Sequence, residues 1–488
     1  MPINFLQIPV DLRTPGTYIE FDNSMALGGL VGLHHKLLFI GQRLGTGATA
    51  AEVLTRVVSA NDADQQFGYG SMLARMIKAA KVQNPYTEMW AVALDDDAAG
   101  VAATGTLTFT GPATAAGTVC LLIGGVRVRF AVAKDDAAAD IATAAAAAVN
   151  AATELPVTAT AADAVVTLTY RHKGEVGNHL DLRHSYYLGE KLPTGVGLSI
   201  VAMANGSANP EVADAVAALA DQQFQHIVMP YTDAANLTAM EEELEDRWGP
   251  LRQIEGHCYT AAAGTSSTLG TLGNTRNTQW VTIMGAGKSP TPVEIWASVV
   301  GATAAYHLNI DPARPLQTLH LQGILAPSPT ERFDQSERNT LLWDGISTYK
   351  MDSSDRVLLD RVITTYQTNA QGVEDPSYLD VNTMATLSYI REQVRYRISS
   401  RYARHKLADD DARVGPGQTV ARPKDVRAEL VALFSEMERN GIVENLDQFE
   451  QNLIVERNAS DHNRLDALIP PDLVGQFRLL AGQIQYRL

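Results

Sequence analysis

The last dozen residues, 477–488, place the strongest constraint on what this chain can fold into. Within them Ile484, Tyr486 and Leu488 alternate with polar residues, which is the period-two pattern of a strand with one apolar and one polar face. A strand at the end of a chain still presents backbone donors and acceptors that must be paired. We therefore expect this strand to add to a sheet edge, either in its own chain or in a neighbouring copy.

Composition sets the class of protein. The 488 residues are 45% hydrophobic and 19% charged, which is enough for a large core and predicts two to four domains. A formal net charge of −16 and a pI near 5.1 argue against nucleic acid or an anionic membrane as the main partner. The sequence shows neither a secretory leader nor a membrane-spanning apolar run, so we expect a protein kept in the cytoplasm where it is made. Two cysteines, Cys120 and Cys258, predict core residues rather than a disulfide framework.

The chain opens with a proline-containing stretch, residues 1–25, that has too few apolar residues to fold alone. Its short strand-like run is Tyr18, Ile19, Glu20 and Phe21, after the turn pair Pro15-Gly16. We interpret it as a second extended arm.

An α/β pattern follows. Leu37–Ile40 predicts a buried strand, 50–59 a helix, 70–81 a second helix and 89–94 a strand, an order that implies a parallel sheet. The pattern resumes after 210, with helices predicted at 211–222, 236–248 and 292–306 and strands at 226–229, 257–261 and 280–284.

A segment rich in Thr, Val, Ala and Gly interrupts this pattern between 98 and 205. It predicts a small α+β domain with a helix over 136–152 and strands over 105–110, 118–123, 126–132 and 165–170. Gly124-Gly125 predicts a two-residue hairpin between the second and third of these strands.

The final domain is predicted to begin at 341. It has strands near 347–351, 357–366 and 453–456 and helices over 381–404 and 423–440. The predicted fold class is therefore multidomain α/β and α+β. The predicted domains are an N-terminal extended arm (1–25), a central α/β domain (26–97 and 206–340), an inserted β-rich α+β domain (98–205), a C-terminal α+β domain (341–476) and a C-terminal strand arm (477–488).

Two glycine-rich loops raise the alternative of a nucleotide-binding α/β enzyme. Gly285–Ser289 is similar to the end of a phosphate-binding loop, but Thr282 replaces the first glycine and Pro290 stands where a helix should begin. Gly41–Gly47 lies between a predicted strand and helix, but its glycine spacing does not fit a dinucleotide fingerprint. Ordinary turns explain both loops better.

Other chemical patterns are weaker. Ser266 could serve as a nucleophile with His257 or His226 and Asp221, although no recognisable setting joins them. Asp461, His462 and Asp466 could chelate a metal, although such residues also cluster in turns. We predict no enzyme activity, no cofactor and no metal.

A basic run lies on or after the helix predicted over 381–404, and Asp409–Asp411 follows it at once. It is either an internally paired face or a docking face for an acidic partner, which could be another copy of the chain. The residues of this possible docking face are Arg391, Arg395, Arg401, Arg404 and Lys406.

Several blocks of sequence together resemble the tail sheath proteins of Mu-like contractile-tailed bacteriophages. The blocks are Pro15–Tyr18, Phe21–Ser24, Ile40–Leu44, Asp311–Gln317, Leu359–Gln367, Ser377–Val381, Arg404–Asp409, Leu453–Asn458 and Leu468–Phe477. The resemblance is least diagnostic over 98–205.

The resemblance implies a structural protein that polymerises as stacked hexameric rings around a tail tube and contracts to drive the tube through the host envelope. It implies as partners other copies of the chain, the tube protein, and the baseplate and tail terminator proteins. The location would be the virion tail, after assembly in the host cytoplasm. The arms would add strands to neighbouring subunits through Tyr18, Ile19, Glu20, Phe21, Phe477, Leu479, Ile484, Tyr486 and Leu488.

Overall fold

A computed structural model describes residues 9, 11–20, 35–415 and 417–487. The described residues form two compact units. The first contains 9, 11–18, 35–306 and 316–380, and the second contains 19–20, 307–315, 381–415 and 417–487. The mixed multidomain α/β and α+β class is confirmed.

The first unit is built on an eight-stranded sheet. Its strands are β1 (Lys36–Gln42), β2 (Leu54–Val57), β3 (Glu88–Leu94), β11 (His226–Val228), β12 (His257–Ala263), β13 (Val281–Gly287), β14 (Ile346–Met351) and β15 (Val357–Arg361). Their order across the sheet is β15-β14-β13-β12-β11-β1-β3-β2. The six inner strands are parallel, and the edge strands β2 and β15 are antiparallel to their neighbours.

The predicted buried strand at Leu37–Ile40 lies inside β1, and each of its residues is fully buried. An uninterrupted apolar run is what a parallel strand covered on both faces requires. The helices of this unit are α1 (Ala60–Phe67), α2 (Met72–Gln83), α4 (Val212–Leu219), α5 (Ala234–Trp248), α6 (Ser266–Gly273), α7 (Val293–Ile310, whose last residues pass into the second unit) and α8 (Gln335–Trp343). Short 3₁₀ helices lie at Glu175–His179 and Pro329–Glu331.

The inserted segment folds into two antiparallel sheets and one helix, α3 (Ala138–Ala151). One sheet has the order β10-β4-β8-β7 and the other β6-β5-β9. The strands are β4 (Ala102–Thr110), β5 (Gly117–Ile123), β6 (Val126–Val132), β7 (Val157–Ala162), β8 (Val165–Lys173), β9 (Leu182–His184) and β10 (Gly197–Ala204). The predicted β5-β6 hairpin is confirmed. Gly124 and Gly125 both have positive φ, as its tight turn requires.

The second unit packs α9 (Val381–Tyr402) and α10 (Pro423–Arg439) with short strands and a small helix, α11 (Leu446–Asn452). The predicted apolar face of α10 is confirmed, because Val426, Leu430, Phe434 and Met437 are all buried. The strands pair two by two: β16 (Lys406–Leu407) with β17 (Val420–Ala421), β18 (Val443–Glu444) with β21 (Asp472–Leu473), and β19 (Ile454–Arg457) with β20 (Leu465–Leu468).

The helix predicted over 50–59 is wrong. Residues 54–57 form β2, which pairs antiparallel with β3, and the helix begins only at Ala60. Ser59 sets this boundary, because its hydroxyl accepts from the Asp62 N–H at 3.1 Å, and the Val58 N–H donates to the Asp62 carboxylate at 2.9 Å. The β-branched residues before Ser59 fit the sheet edge better than a helix.

The central sheet continues past 341, the residue at which a separate C-terminal domain was expected to begin. Ile283 and Met284 of β13 lie beside Ile346 and Ser347 of β14 in parallel register, and β15 then forms the edge. Without β14, the backbone groups on one side of the buried strand β13 would have no partners. Several other elements had no clear pattern in the sequence because they are short or rich in small residues: α6, α8, β7, β9, β10 and β20.

Two buried histidines begin neighbouring strands of the central sheet. His226 of β11 lies beside His257 of β12 in the parallel register. Nε2 of His257 lies 2.8 Å from the Thr282 hydroxyl, which itself donates to the Ile363 carbonyl, so His257 acts as the donor. Burial lowers the pKa of His257 to about 3 and lowers the pKa of His226 well below its ordinary value.

We expect these two buried histidines to make the fold less stable at acidic pH. Both are neutral in the fold, whereas in the unfolded chain each binds a proton below its ordinary pKa of about 6.5. Stability is therefore fully present above that pH, and it falls as the pH drops towards the folded-state values. We expect each histidine to contribute a loss of about 1.4 kcal/mol per pH unit, measured by urea unfolding between pH 6 and 5.

His257→Gln keeps a donor for Thr282 and removes one titrating group, so its stability should depend less steeply on pH. The matched control is His462→Gln, at an exposed position outside the central sheet. If the stability of His257→Gln falls with pH as steeply as that of the wild type, the lowered pKa of His257 is contradicted.

Candidate assembly surfaces

The C-terminal arm, described over residues 477–487, follows β21, the last strand of the second unit. The Val474 N–H donates to the Ile442 carbonyl at 3.3 Å, and no strand is assigned in the arm. From Leu479 to Arg487 no hydrogen bond joins the arm to any residue that the structure describes. The alternating apolar residues Ile484 and Tyr486 are 93% and 81% exposed.

Three other residues were predicted to belong to the C-terminal arm. Phe477 and Leu479 are also largely exposed, and Phe477 has an interaction within the chain. Leu488 lies outside the described residues. Of the two options for the terminal strand, pairing inside its own chain is therefore absent between residues 479–487 and the rest of the described residues.

The N-terminal segment is described over residues 11–20 and has a turn at Asp11. Residues 18–20 form no strand within the described ranges, and Tyr18 makes a local bond in which its hydroxyl donates to the Thr14 carbonyl at 3.3 Å. Ile19 is 74% exposed, whereas Glu20 is half-buried and has an interaction within the chain. Phe21, the fourth residue predicted for this arm, lies outside the described residues.

The β19-β20 hairpin offers an open edge that the sequence analysis missed, because only its first strand was predicted. The Asn458 N–H donates to the Arg464 carbonyl at 3.0 Å. Antiparallel pairs alternate, so the backbone groups of Leu465 and Ala467 in β20 point away from β19. No hydrogen bond within the described ranges uses these outward groups. The signal in the sequence was the turn-forming run 458–463 between two short apolar stretches.

The basic residues of α9 divide into two groups. Arg397 donates to Glu429 at 2.9 Å and to Glu436, and Arg401 lies 2.5 Å from the other oxygen of Glu429. Arg391 and Arg395 also have partners within the chain. The internally paired interpretation therefore accounts for much of the run.

Two residues of the basic run, Arg404 and Lys406, take no part in these ion pairs. Lys406 donates to the Gln418 side chain at 3.2 Å. Arg404 is exposed and makes no polar contact with a described residue. Neither Arg404 nor Lys406 has an acidic partner among the described residues, so both keep a charge for a partner.

The glycines behind the nucleotide-binding alternative serve close packing. A Cβ at Gly41 would lie 3.1 Å from the sulfur of Met76, and a Cβ at Gly285 would lie 2.9 Å from Ile346. The Ser289 hydroxyl donates to the Leu325 carbonyl at 2.6 Å. Each loop is therefore explained by contacts inside the sheet and its helices.

The structure does not bring together the residues considered for serine chemistry. Ser266 follows the carboxyl end of β12 and donates to Glu337 at 2.8 Å. His257 begins the same strand, about 20 Å away at the rise of an extended chain. Asp221 is largely exposed and pairs with Arg252.

The residues considered for metal binding stabilise a turn. The Asp461 carboxylate accepts from the Asn463 N–H at 2.9 Å, and Asp466 accepts from Asn458 and Arg464. Among the described residues, no cluster of three or more His, Cys, Asp or Glu side chains could hold a metal ion. Cys120 and Cys258 are buried, as predicted. Every helix within the described ranges is too short or too polar to cross a membrane.

Comparison with known proteins identifies the family. Residues 98–197 match the phage tail sheath protein beta-sandwich domain, 205–365 the phage tail sheath protein central domain and 373–487 the phage tail sheath C-terminal domain. The chain is 43% identical over 486 residues to the Mu-like prophage FluMu tail sheath protein of Haemophilus influenzae, and the match covers 100% of both. These matches are to structural proteins of phage tails. The chain belongs to the phage tail sheath protein family, which confirms the resemblance.

Solved structures of two sheath tail proteins are also similar to this chain. The protein from Listeria innocua is 11% identical with a TM-score of 0.49, and the match covers 92% of this chain and 94% of that one. The protein from Desulfitobacterium hafniense is 15% identical with a TM-score of 0.48, covering 94% of this chain and 100% of that one.

Proposed function

We propose that this chain is the subunit of a contractile tail sheath, in which copies link to one another through their terminal arms. The observation that carries the proposal is the C-terminal arm, whose alternating residues Ile484 and Tyr486 are exposed and whose last residues are unpaired within the described chain. A strand-forming segment in this state is the usual donor in strand addition to a neighbouring sheet.

The acceptor that we propose is the open edge of β20 in an adjacent copy. The outward backbone groups of Leu465 and Ala467 would bond the arm. Each backbone hydrogen bond contributes only about 1 kcal/mol, and fixing each arm residue costs about as much. Net affinity must therefore come from burying the apolar side chains of Ile484 and Tyr486.

A donor at one place and an acceptor at another make a heterologous contact, and repeated heterologous contacts produce rings or helices. The assembly that we propose is a helical stack of hexameric rings around the tail tube, ending at baseplate and terminator proteins. It would be built in the host cytoplasm and would remain in the virion tail. The subunit has a structural role, and we propose no catalysis.

Contraction would move the subunit bodies while the arms stay paired. Bodies joined by extended segments can swing without breaking the strand pairs, and such rigid-body rearrangement is a common switching mechanism. The extended lattice would be held kinetically until triggered. In this arrangement the inserted domain, residues 98–205, faces outward.

Hydrogen exchange tests the arm pairing. In dispersed subunits the amides of 483–487 should exchange freely, since none of them donates a hydrogen bond within the described chain. In the polymer the alternate amides that face β20 should become protected, together with those of Leu465 and Ala467. If the arm amides exchanged equally fast in dispersed subunits and in polymer, the proposal would be contradicted. The β19 amides that face β20 serve as an internal reference, because they should be protected in both states.

A further inference from the structure

The loop between β9 and β10 carries an exposed leucine on a rigid support. Leu188 is fully exposed, next to the half-exposed ring of Tyr187. We call this surface the Leu188 knob and define it as the loop 185–191 with Arg127 and Arg129 of β6. Its composition of leucine, tyrosine and arginine is unlike that of an ordinary polar loop tip.

The knob is held in place by its own contacts. The Tyr187 N–H donates to the Glu190 carboxylate at 3.1 Å, and Glu190 pairs with Arg127. The guanidinium of Arg127 lies 5.3 Å from the centre of the Tyr187 ring. The Tyr186 hydroxyl donates to the Ala326 carbonyl at 3.0 Å and anchors the base of the loop. Leu188 is therefore presented on a fixed frame, which lowers the entropy lost on binding.

The charge of the knob opposes that of the whole chain. The knob as defined contains three basic residues, Arg127, Arg129 and Lys191, all of them exposed, and one acidic residue, Glu190. The chain as a whole carries −16. A partner surface should therefore have an exposed apolar centre with acidic residues around it.

The first unit itself contains such a surface. Residues 211–252 carry nine acidic residues and two arginines, a net charge of −7. At the end of α5, Leu251 is 97% exposed, and near it along the chain lie the exposed carboxylates of Glu242, Glu245 and Asp246. We call this the acidic face. Arg252 bridges Asp221, Glu243 and Asp246, which fixes the acidic face without neutralising it.

We propose that the Leu188 knob of one copy docks on the acidic face of a second copy. Leu188 and Leu251 form the apolar centre, and Arg129 and Lys191 approach Glu242 and Glu245 at the rim. The inference rests on the proposed polymerisation and adds to it a contact between subunit bodies, separate from the arms. Two different surfaces of one chain are involved, so the contact is compatible with a ring or helix.

Cysteine cross-linking tests the contact. Chains carrying Leu188→Cys and chains carrying Leu251→Cys are mixed, polymerised and treated with a short bismaleimide, so that only contact between different copies gives a heterodimer. We expect heterodimer as the main product. The control replaces Leu188→Cys with Val201→Cys, an exposed position on β10 of the same inserted domain, and should give little product. The native cysteines are buried.

Charge reversal supplies a second measurement. Arg129→Glu should raise the protein concentration needed for half-maximal polymer by about threefold, and Glu245→Arg in the same chain should restore it. Normal polymer with no heterodimer above the Val201→Cys control overturns this contact and leaves the arm proposal intact. If the wild-type chain does not polymerise, both the arm proposal and this contact are overturned. If Glu245→Arg does not restore polymerisation to the Arg129→Glu chain, the contact is also contradicted.

Discussion

Deleting residues 483–488 should leave a folded subunit that no longer polymerises. Ile484 and Tyr486 are almost fully exposed, and the arm beyond Leu479 makes no hydrogen bond to another described residue. Removing such residues should change the free energy of unfolding by less than about 0.5 kcal/mol. Polymerisation should be lost, because the donor strand of the proposed link between the C-terminal arm and β20 is missing.

A matched pair of point variants separates the two faces of the arm. Ile484→Asp with Tyr486→Asp places charges on the apolar face of the arm, which would be buried on one face of the extended sheet, and it should abolish polymer measured by sedimentation. Gln483→Thr with Gln485→Thr alters the opposite, polar face and keeps strand propensity, so it should assemble normally. If the aspartate variant still polymerised, burial of the apolar side chains of the arm would not be needed for assembly.

Replacing Glu294 should cause the largest loss of stability in the first unit. Its carboxylate is 1% exposed, lies 2.6 Å from the guanidinium of Arg75 and accepts from the Tyr170 hydroxyl at 3.1 Å. It thereby joins α7 to α2 and to β8 of the inserted domain. Glu294→Ala leaves the Arg75 charge buried without its partner, and such losses amount to about 3–5 kcal/mol.

Two further variants show whether the charge or the hydrogen bond matters more. Tyr170→Phe removes one hydrogen bond and should cost about 1 kcal/mol in urea unfolding. Arg75→Met combined with Glu294→Met removes both charges and should be less destabilising than Glu294→Ala alone. A Glu294→Ala variant within 1 kcal/mol of wild type would show that the ion pair is not important to the fold.

The sequence predicted best those elements whose own residues decide their structure. The uninterrupted apolar run of β1 predicted a buried strand, and the buried face of α10 followed the helical period over enough residues to be unambiguous. The Gly124-Gly125 hairpin was predictable because few residues adopt the required positive φ.

The elements that were predicted wrongly are those whose structure depends on a partner far away in the chain. Residues 54–57 became a strand because β3 offers them an edge, and 346–351 joined the central sheet because β13 needed a neighbour. The hairpin partner β20 is only four residues long, and its pairing with β19 decides its structure. Local patterns cannot reveal a pairing that lies elsewhere in the chain.

The assembly surfaces were predicted unevenly for the same reason. The alternation of Ile484 and Tyr486 was visible in the sequence, but their exposure was not. The ion pairs that tie Arg397 and Arg401 to Glu429 depend on how α9 packs on α10, so the basic run could not be divided in advance. The Leu188 knob gave no sequence signal, because its support comes from Arg127, about sixty positions away.

Negative-stain electron microscopy of the purified full-length chain at high concentration tests the central claim most directly, with the 483–488 deletion examined beside it. If copies join through their arms into a sheath, the full-length protein should form tubes or stacked rings, and the deleted form should remain as single particles. Single particles from the full-length protein at every concentration, or tubes from the deleted form, would contradict the account.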